Sequence, residues 1–253
     1  MLFLFAALLG LGIGSFLNVV IIRLHSNEPL TGRSHCVYCQ KQLRWFELLP
    51  VVSFVALGGR CRYCQQAISW QYPLVELITA AVFATITVWF STDPLRLGVY
   101  LVYSAILIVL FVYDARYYLI PDIITLPAII FSIIISLLLG NHWLNIMLAL
   151  AVGSGVFLLQ YVASGGRWIG GGDIRLGALM GAMLGWPNIV VALFLAYCGG
   201  AIVAVTLMIL GKKKMTDRLP FGTFLSASTI ITLCLGNQLV YWYLYEFLRL
   251  YHR

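Results

Sequence analysis

The chain has 253 residues, of which 62% are apolar and only 10% are charged, and its mean hydropathy is +0.95. Soluble domains carry about 25% charged residues, so this composition excludes an ordinary soluble protein. Of the sixteen basic residues behind the net charge of +7, six lie in residues 23–71 and four in residues 212–218. Basic residues gather in this way in the cytoplasmic loops of membrane proteins, so the charge indicates topology and not a nucleic-acid partner.

Apolar segments predict an all-α polytopic membrane protein with about eight transmembrane helices. A helix needs about 20 apolar residues to cross a bilayer. Segments that reach or approach this length cover residues 3–22, 72–91, 97–113, 123–140, 143–163, 175–186, 189–211 and 219–236. The first segment lacks the basic n-region of a cleaved signal peptide, so we predict a retained helix. Its Gly10 and Gly14 have the spacing of a close helix–helix contact.

The basic residues predict the orientation and the division of the chain. The first loop is placed in the cytoplasm by Arg23, Arg33, Lys41, Arg44, Arg60 and Arg62, and the later basic cluster consists of Lys212, Lys213, Lys214 and Arg218. An even number of predicted membrane crossings separates the two basic regions, so both lie on the cytoplasmic side, and the N-terminus lies outside. We therefore predict a first transmembrane helix at 1–22, a cytoplasmic loop at 23–71, a transmembrane core at 72–236 and an amphipathic, interfacial C-terminal helix at 237–253.

The cytoplasmic loop contains two Cys-x-x-Cys turns, CVYC and CRYC, with 21 residues between them. Their cysteines are Cys36, Cys39, Cys61 and Cys64, and two such turns are typical of a four-thiolate zinc site. Four thiolates leave no open position for water, so the metal is expected to be structural. The alternatives are a pair of disulfides, which fit poorly in a reducing cytoplasm, and unrelated thiols.

Three of the nine acidic residues, Asp114, Asp122 and Asp173, lie at predicted cytoplasmic ends of helices. Ionisable residues at such positions are functional candidates, because a charge is costly in a bilayer. Asp173 follows three glycines, which permit another helix or an extended substrate strand to approach it. No HExxH metal motif and no serine nucleophile elbow occurs in the chain, which leaves aspartates as the candidates for catalysis.

Two aspartates from different helices can activate water without a nucleophilic side chain. Like charges held close together cannot both ionise cheaply, so the two carboxylates share a proton. The ionised member then accepts a proton from water, while the protonated member polarises the scissile carbonyl. A second interpretation stays open, in which the aspartates cap helices, Asp173 one beginning near Ile174, or pair with Arg116 and Arg175.

Several motifs follow one another along nearly the whole chain. GSFLNVVIIRL (14–24) is followed by GGRCRYC and ISWQYPLVEL around the second pair of cysteines, and then by DARYYLIPDIITLP (114–127), GGGDIRLGALMG (170–181) and LPFGTFL (219–225). In these motifs the chain resembles the type IV prepilin peptidase family of bacterial intramembrane aspartyl proteases.

The resemblance implies removal of the short basic leader from type IV prepilins or pseudopilins at the cytoplasmic face of the bacterial inner membrane. Many members then methylate the new N-terminal amine with S-adenosylmethionine. Carried over, Asp114 and Asp173 are the catalytic pair, and Asp122 is the alternative first aspartate, whose other role would be to cap the helix after Pro121. The four loop cysteines are implied to bind zinc, and their loop to serve methylation.

The chain departs from the family pattern at Val37, where proline is common, at residues 46–50, where an Asp-Asn-Ile-Pro type sequence is common, and at Arg175, which is usually lysine. The first two departures lie in the loop associated with methylation. Competing interpretations are a presenilin-like or signal-peptide-peptidase-like protease, an ion-coupled carrier and a zinc-dependent scaffold. The four-cysteine loop, YPLVEL and LPFG argue against the presenilin-like protease.

Overall fold

The computed structural model describes residues 1–212 and 219–247, and within them the regular secondary structure is helical, without a β-strand. This confirms the predicted all-α fold. In chain order the helices are α1 (Leu2–Ser26), α2 (Val52–Ala56), α3 (Gln71–Phe90), α4 (Pro94–Tyr117), α5 (Asp122–Leu138), α6 (Trp143–Ser164), α7 (Gly171–Leu184), α8 (Asn188–Ile209) and α9 (Phe221–Tyr241).

The eight predicted apolar segments coincide with the eight long helices, α1 and α3 to α9. Six of these, α1, α3, α4, α6, α8 and α9 with its continuation to Tyr245, are long and apolar enough to cross a membrane. The other two, α5 with 17 residues and α7 with 14, are shorter than the roughly 20 residues that a full span needs. The chain is therefore a multi-pass membrane protein by length and composition, and the crossing of α5 and α7 stays a prediction.

Two helix ends differ from the predicted division of the chain. The first helix continues past residue 22 to Ser26, where Asn27 adopts a left-handed conformation (φ 54°) and its N–H donates to the carbonyl of Arg23. The predicted division at 236/237 falls inside α9, which continues as a π-helix over Trp242–Phe247. The rest of the tail, residues 248–253, and the basic cluster beyond Lys212 lie outside the described residues.

The chain divides into two compact units, the first of which comprises residues 1–109. In this unit α1 packs closely on α3, as the glycine spacing predicted. A Cβ atom at Gly10 would lie 2.7 Å from Cα of Ala80, and one at Gly14 would lie 2.7 Å from Cα of Glu76. Because glycine has no Cβ, the two backbones approach to a distance that any larger residue would prevent.

The second unit comprises residues 110–253, and α7 lies at its centre. This short helix contacts α5, α6, α8 and α9, and it buries the side chains of Leu176, Leu179 and Met180 completely. Fourteen residues extend over about 21 Å, less than the hydrocarbon thickness of about 30 Å. The first turn of α7 carries Asp173.

Candidate active site and metal centre

The four loop cysteines form one cluster in the first unit. Their sulfur atoms all lie within 4.8 Å of one another, and Sγ of Cys36 lies 3.9 Å from Sγ of Cys64. A tetrahedral ion with metal–sulfur bonds of about 2.3 Å would separate its ligands by about 3.8 Å. The cluster can therefore hold one four-coordinate metal ion. None of the six cysteines forms a disulfide, which disfavours the alternative interpretation.

The two Cys-x-x-Cys turns have the same backbone geometry. The N–H of Cys36 donates to the carbonyl of Lys41 (3.0 Å), and the N–H of Cys61 donates to the carbonyl of Gln66 (2.9 Å). The glutamine that follows each turn has a positive φ, 57° in the first turn and 58° in the second. Each turn is closed by local hydrogen bonds, so the arrangement of each cysteine pair depends on its own few residues.

Hydrogen bonds within the second turn favour a thiolate. Backbone N–H groups of Cys64 and Tyr63 donate to the sulfur of Cys61 and lower its pKa to about 7. Since metals bind the thiolate form of cysteine, these hydrogen bonds favour Cys61 as a ligand. The cationic side chain of Lys41 lies 4.4 Å from the ring centroid of Tyr63, beside the cluster.

Asp114 lies in the last turn of α4 and is buried, with 5% of its surface exposed. Its Oδ2 atom accepts a hydrogen bond of 2.9 Å from the backbone N–H of Thr223, and the backbone of Gly222 also donates to the carboxylate. Both donors belong to the first turn of α9, where N–H groups have no partner within the helix. The N-terminus of α9 thus orients this carboxylate and favours its negative charge.

The absence of a side chain at Gly222 permits this approach. A Cβ atom there would lie 2.9 Å from Oδ2 of Asp114 and 3.1 Å from Cδ1 of Ile120. Gly222 belongs to the LPFG stretch, for which the sequence analysis gave a family resemblance and no structural role. Its role in bringing backbone donors to Asp114 was not predicted.

Asp173 is the third residue of α7, because this helix begins at Gly171 and not near Ile174 as predicted. Its Oδ2 atom accepts a hydrogen bond of 3.3 Å from the backbone N–H of Gly170, the residue that caps the helix. Asp173 is therefore not the capping residue that the second interpretation made it, although one of its oxygens binds the N–H of the residue that caps the helix. This hydrogen bond does not compete with catalysis, because a carboxylate has two oxygens and several acceptor positions.

The N-termini of α7 and α9 both pack on Ile120, which lies in the short connection between α4 and α5. A Cβ atom at Gly172 would lie 3.0 Å from Cβ of Ile120, the same side chain that Gly222 contacts. The carboxylates of Asp114 and Asp173 lie close enough to interact electrostatically. Two aspartates that are distant in sequence are thus brought into one region of the second unit.

Asp122, the alternative first aspartate, has a different environment. It is the first residue of α5 and not its capping residue, its side chain is 49% exposed, and it forms an ion pair with Arg175 of α7. The alternative pairing of Arg175 with Asp173 is therefore wrong. Residues two positions apart on a helix point to different faces, so Arg175 extends to α5 and not to Asp173.

A tyrosine near Asp173 gave no signal in the sequence. Tyr197 of α8 interacts electrostatically with Asp173, and its hydroxyl accepts a hydrogen bond of 2.5 Å from Nε2 of Gln160 in α6. Its ring lies 5.1 Å, centroid to centroid, from the ring of Phe221. Both polar residues lie in apolar runs outside any motif, so only the packing of α6 against α8 identifies them.

These features define a multi-pass membrane protein that has an interacting pair of aspartates at helix ends and a separate four-cysteine cluster. Comparison with known proteins identifies the family. A family model described as the bacterial peptidase A24 N-terminal domain matches residues 8–90, and the model of the type IV leader peptidase family matches residues 101–205. The first match contains the four cysteines, and the second contains both aspartates.

Curated relatives align over almost the whole chain. A prepilin leader peptidase/N-methyltransferase of Aeromonas hydrophila is 31% identical, and the alignment covers 95% of this chain and 93% of the relative. Proteins of the same name from Bacillus subtilis and Pseudomonas aeruginosa are each 32% identical, with 93% and 94% of this chain and 95% and 91% of the relative covered. No solved structure gives a significant match. The chain belongs to the type IV leader peptidase family and is a membrane peptidase.

Proposed function

We propose that Asp114 and Asp173 are the catalytic pair with which this chain removes the leader from prepilins or pseudopilins. The observation that carries the proposal is that Gly172, beside Asp173, and Gly222, beside the carboxylate of Asp114, both lie against Ile120, so that the two carboxylates interact electrostatically. Both residues lie in the part of the chain that matches the type IV leader peptidase model. The relatives named above are prepilin leader peptidases.

The reaction follows from the chemistry of two carboxylates that share one proton. The ionised carboxylate accepts a proton from water, and the hydroxyl group attacks the scissile carbonyl, whose oxygen is polarised by the protonated carboxyl. The carbon–nitrogen bond then breaks, and the leaving amine takes a proton from the pair. The pair titrates as a unit, so neither aspartate is assigned individually as the acid or the base.

The hydrogen bonds described for each aspartate would hold the two carboxylates in fixed positions. Thr223 N–H holds Oδ2 of Asp114, and Gly170 N–H holds Oδ2 of Asp173. These donors belong to backbone at two helix starts, so they do not need to reorganise when charge moves between the carboxylates. We assign Thr223 and Gly170 to positioning and the two carboxylates to catalysis.

Delivery of the substrate follows from the predicted topology. A prepilin presents an apolar helix in the membrane and a basic leader in the cytoplasm, so its scissile bond lies at the membrane surface. In the predicted orientation, with the cysteine loop in the cytoplasm, Asp114 and Asp173 lie at cytoplasmic helix ends in the inner membrane of a bacterium. The scissile bond and the catalytic pair would therefore meet at one depth, with lipid around the remaining helix surfaces.

A second activity is proposed for the first unit, namely methylation of the new N-terminal amine with S-adenosylmethionine. The relatives carry N-methyltransferase in their names. In this reaction the bond between the sulfonium and its methyl group breaks, a bond from the amine nitrogen to that methyl forms, and the amine loses a proton. Cys36, Cys39, Cys61 and Cys64 would hold zinc, which when bound supplies a structural cross-link between the two turns.

Mass spectrometry of a prepilin incubated with the purified enzyme, with and without S-adenosylmethionine, tests both activities. Loss of the leader in both reactions, with one added methylene only when the methyl donor is present, is the expected result. Loss of the leader without methylation would restrict the proposal to the peptidase. An intact, correctly inserted prepilin would overturn the proposal and favour the ion-coupled carrier.

A further inference from the structure

Glu76 is a buried carboxylate in the first unit to which leader cleavage assigns no role. It lies in the second turn of α3, within the YPLVEL stretch, and only 5% of its surface is exposed. Its Oε2 atom accepts a hydrogen bond of 2.7 Å from the backbone N–H of Val51, and the side chain of Ser15 in α1 also hydrogen-bonds to the carboxylate. Three segments of the unit, namely α1, the cytoplasmic loop and α3, therefore meet at this one side chain.

The loop backbone is strained where it meets Glu76. Val51 has φ 59° and ψ −46°, and the N–H of Val52 donates to the carbonyl of Pro50 over 2.5 Å. This combination is close to the γ-turn with a positive central φ, which is rare and strained. A β-branched residue at positive φ is a genuine outlier, and it persists only where its surroundings determine it. The hydrogen bond from Val51 to Glu76 is an interaction that holds this turn.

The helices around Glu76 provide a rigid support for this contact. Gly14 brings α1 against the backbone of α3 at Glu76, as described above. Asn18, which is fully buried, donates hydrogen bonds of 3.2 Å both to the carbonyl of Gly14 and to that of Tyr72. It also accepts a hydrogen bond of 3.2 Å from Gln71. These hydrogen bonds join α1 to the start of α3, the helix that carries Glu76.

The start of the loop is fixed by the buried guanidinium group of Arg23. Arg23, at the end of α1, is only 6% exposed, and its guanidinium donates to the carbonyls of Pro29, Thr31 and Arg33 over 3.1, 2.8 and 3.0 Å. The loop is thus attached to the helices at its beginning through the guanidinium of Arg23 and near its middle through the side chain of Glu76. Two of the four clustered cysteines precede Val51 in the sequence, and the other two follow it.

We propose that Glu76 is a positioning residue that attaches the metal-binding loop to α1 and α3 through the strained turn at Val51, and that methyl transfer depends on this attachment. The second part rests on the proposed function of the loop. A carboxyl group suits this role because its oxygens offer several acceptor positions, so one side chain can bind Val51 of the loop and Ser15 of α1 together. A buried polar group is costly unless it is hydrogen-bonded, so the loop and Glu76 stabilise each other.

Hydrogen exchange of the membrane-reconstituted full chain tests the attachment directly. In Glu76→Ala the amides of Val51 and Val52 should exchange at least about tenfold faster, because local opening of the turn no longer breaks the hydrogen bond from Val51 to the side chain of Glu76. Glu76→Gln keeps an acceptor oxygen and should retain part of the protection. Glu28→Gln is the matched control, because Glu28 is a loop carboxylate whose ion-pair partner is His35 at 3.8 Å, and it should exchange as the wild type does.

Activity measured on the same samples separates positioning from folding. In Glu76→Ala we expect methylation to fall by at least about tenfold, while leader cleavage stays within about twofold and the metal content is unchanged. Val51→Gly keeps the N–H and relieves the strain at positive φ. The double variant Glu76→Ala/Val51→Gly should therefore recover part of the protection lost in Glu76→Ala.

Unchanged protection of Val51 in Glu76→Ala would overturn the proposal. A second result would also overturn it: both Glu76→Ala and Glu76→Gln lose cleavage and methylation to the same extent, and amides throughout α1 and α3 exchange faster. Glu76 would then only support the fold. If the wild-type enzyme cleaves but does not methylate, the proposed second activity fails, and hydrogen exchange still decides whether Glu76 holds the loop.

Discussion

In the described residues, each unit has one buried carboxyl side chain that accepts a backbone hydrogen bond from a distant segment. In the first unit Glu76 accepts from Val51 over 2.7 Å, and in the second Asp114 accepts from Thr223 over 2.9 Å. Both are about 5% exposed. The groups that interact with Glu76 are an amide and a hydroxyl, whereas Asp114 also interacts with a second carboxylate. Burial is common to both, and the second acid that the proposed protease chemistry requires interacts with Asp114 alone of the two.

The same contrast separates the two proposed activities. The second unit has the carboxylate pair and, in the proposed function, performs cleavage. The first unit has the four-cysteine cluster, a loop attached at Arg23 and Glu76, and the proposed methylation. Changes in one unit should therefore affect one activity much more than the other. The following variants test that separation, and the mass of the prepilin product reports the cleavage and the methylation activity of each.

The largest effect is expected from Asp114→Asn and Asp173→Asn. Each should lower the rate of leader cleavage by at least about 100-fold, because an amide can neither accept the proton of water nor share a proton with its partner. Methylation of a prepilin whose leader has already been removed should stay close to the wild-type rate. Residual cleavage above a few per cent in either variant, with normal membrane insertion, would remove that aspartate from the proposed pair.

The converse variant is Cys36→Ser, which removes one of four metal ligands. We expect loss of the bound metal and a methylation rate reduced by at least about tenfold, because a structural metal contributes directly to the folding of a small domain. Cleavage should fall much less. Cys198→Ser is the matched control, since Cys198 lies in α8, outside the cluster. Full metal occupancy in Cys36→Ser, measured by elemental analysis, would contradict the four-thiolate site.

Features that depend on local sequence could be predicted. The eight long helices follow from apolar segments whose length is related to the thickness of a bilayer. The four-cysteine cluster follows from two Cys-x-x-Cys turns that are each closed by their own hydrogen bonds. The close contact of α1 with α3 follows from Gly10 and Gly14, because small residues four positions apart lie on one helix face.

Features that depend on distant packing could not be predicted. The donor to Asp114, Thr223, lies 109 positions further along the chain. No local pattern shows that α9 begins at this carboxylate, or that Gly222 makes the approach possible. The start of α7 was placed too late because glycines favour loops when they are considered alone, whereas Gly171 and Gly172 belong to its first turn. The ion pair of Arg175 with Asp122 likewise requires the contact of α5 with α7.

A smaller effect on cleavage is expected from Gly222→Ala. The added methyl group would lie 2.9 Å from Oδ2 of Asp114, so either the carboxylate or the first turn of α9 must shift. A displacement of about 1 Å costs on the order of 100-fold in rate, and partial relaxation should limit the loss of kcat to about tenfold. Gly155→Ala is the control, because a Cβ atom there has no neighbour within 4 Å. Equal rates for both variants would show that α9 does not position Asp114.

The smallest effect is expected from Asp122→Asn, which separates the proposed pair from the alternative first aspartate. Asp122 is half exposed and paired with Arg175, and exposed ion pairs contribute about 0–1 kcal/mol, so the cleavage rate should change by about fivefold or less. Arg175→Gln removes the same ion pair from the other side and should give a similar rate. If Asp122→Asn abolished cleavage while Arg175→Gln did not, the carboxylate itself would be required, and Asp122 would replace Asp114 as the partner of Asp173. A loss of the same size in both variants would instead assign the ion pair to holding α5 against α7, the helix that carries Asp173.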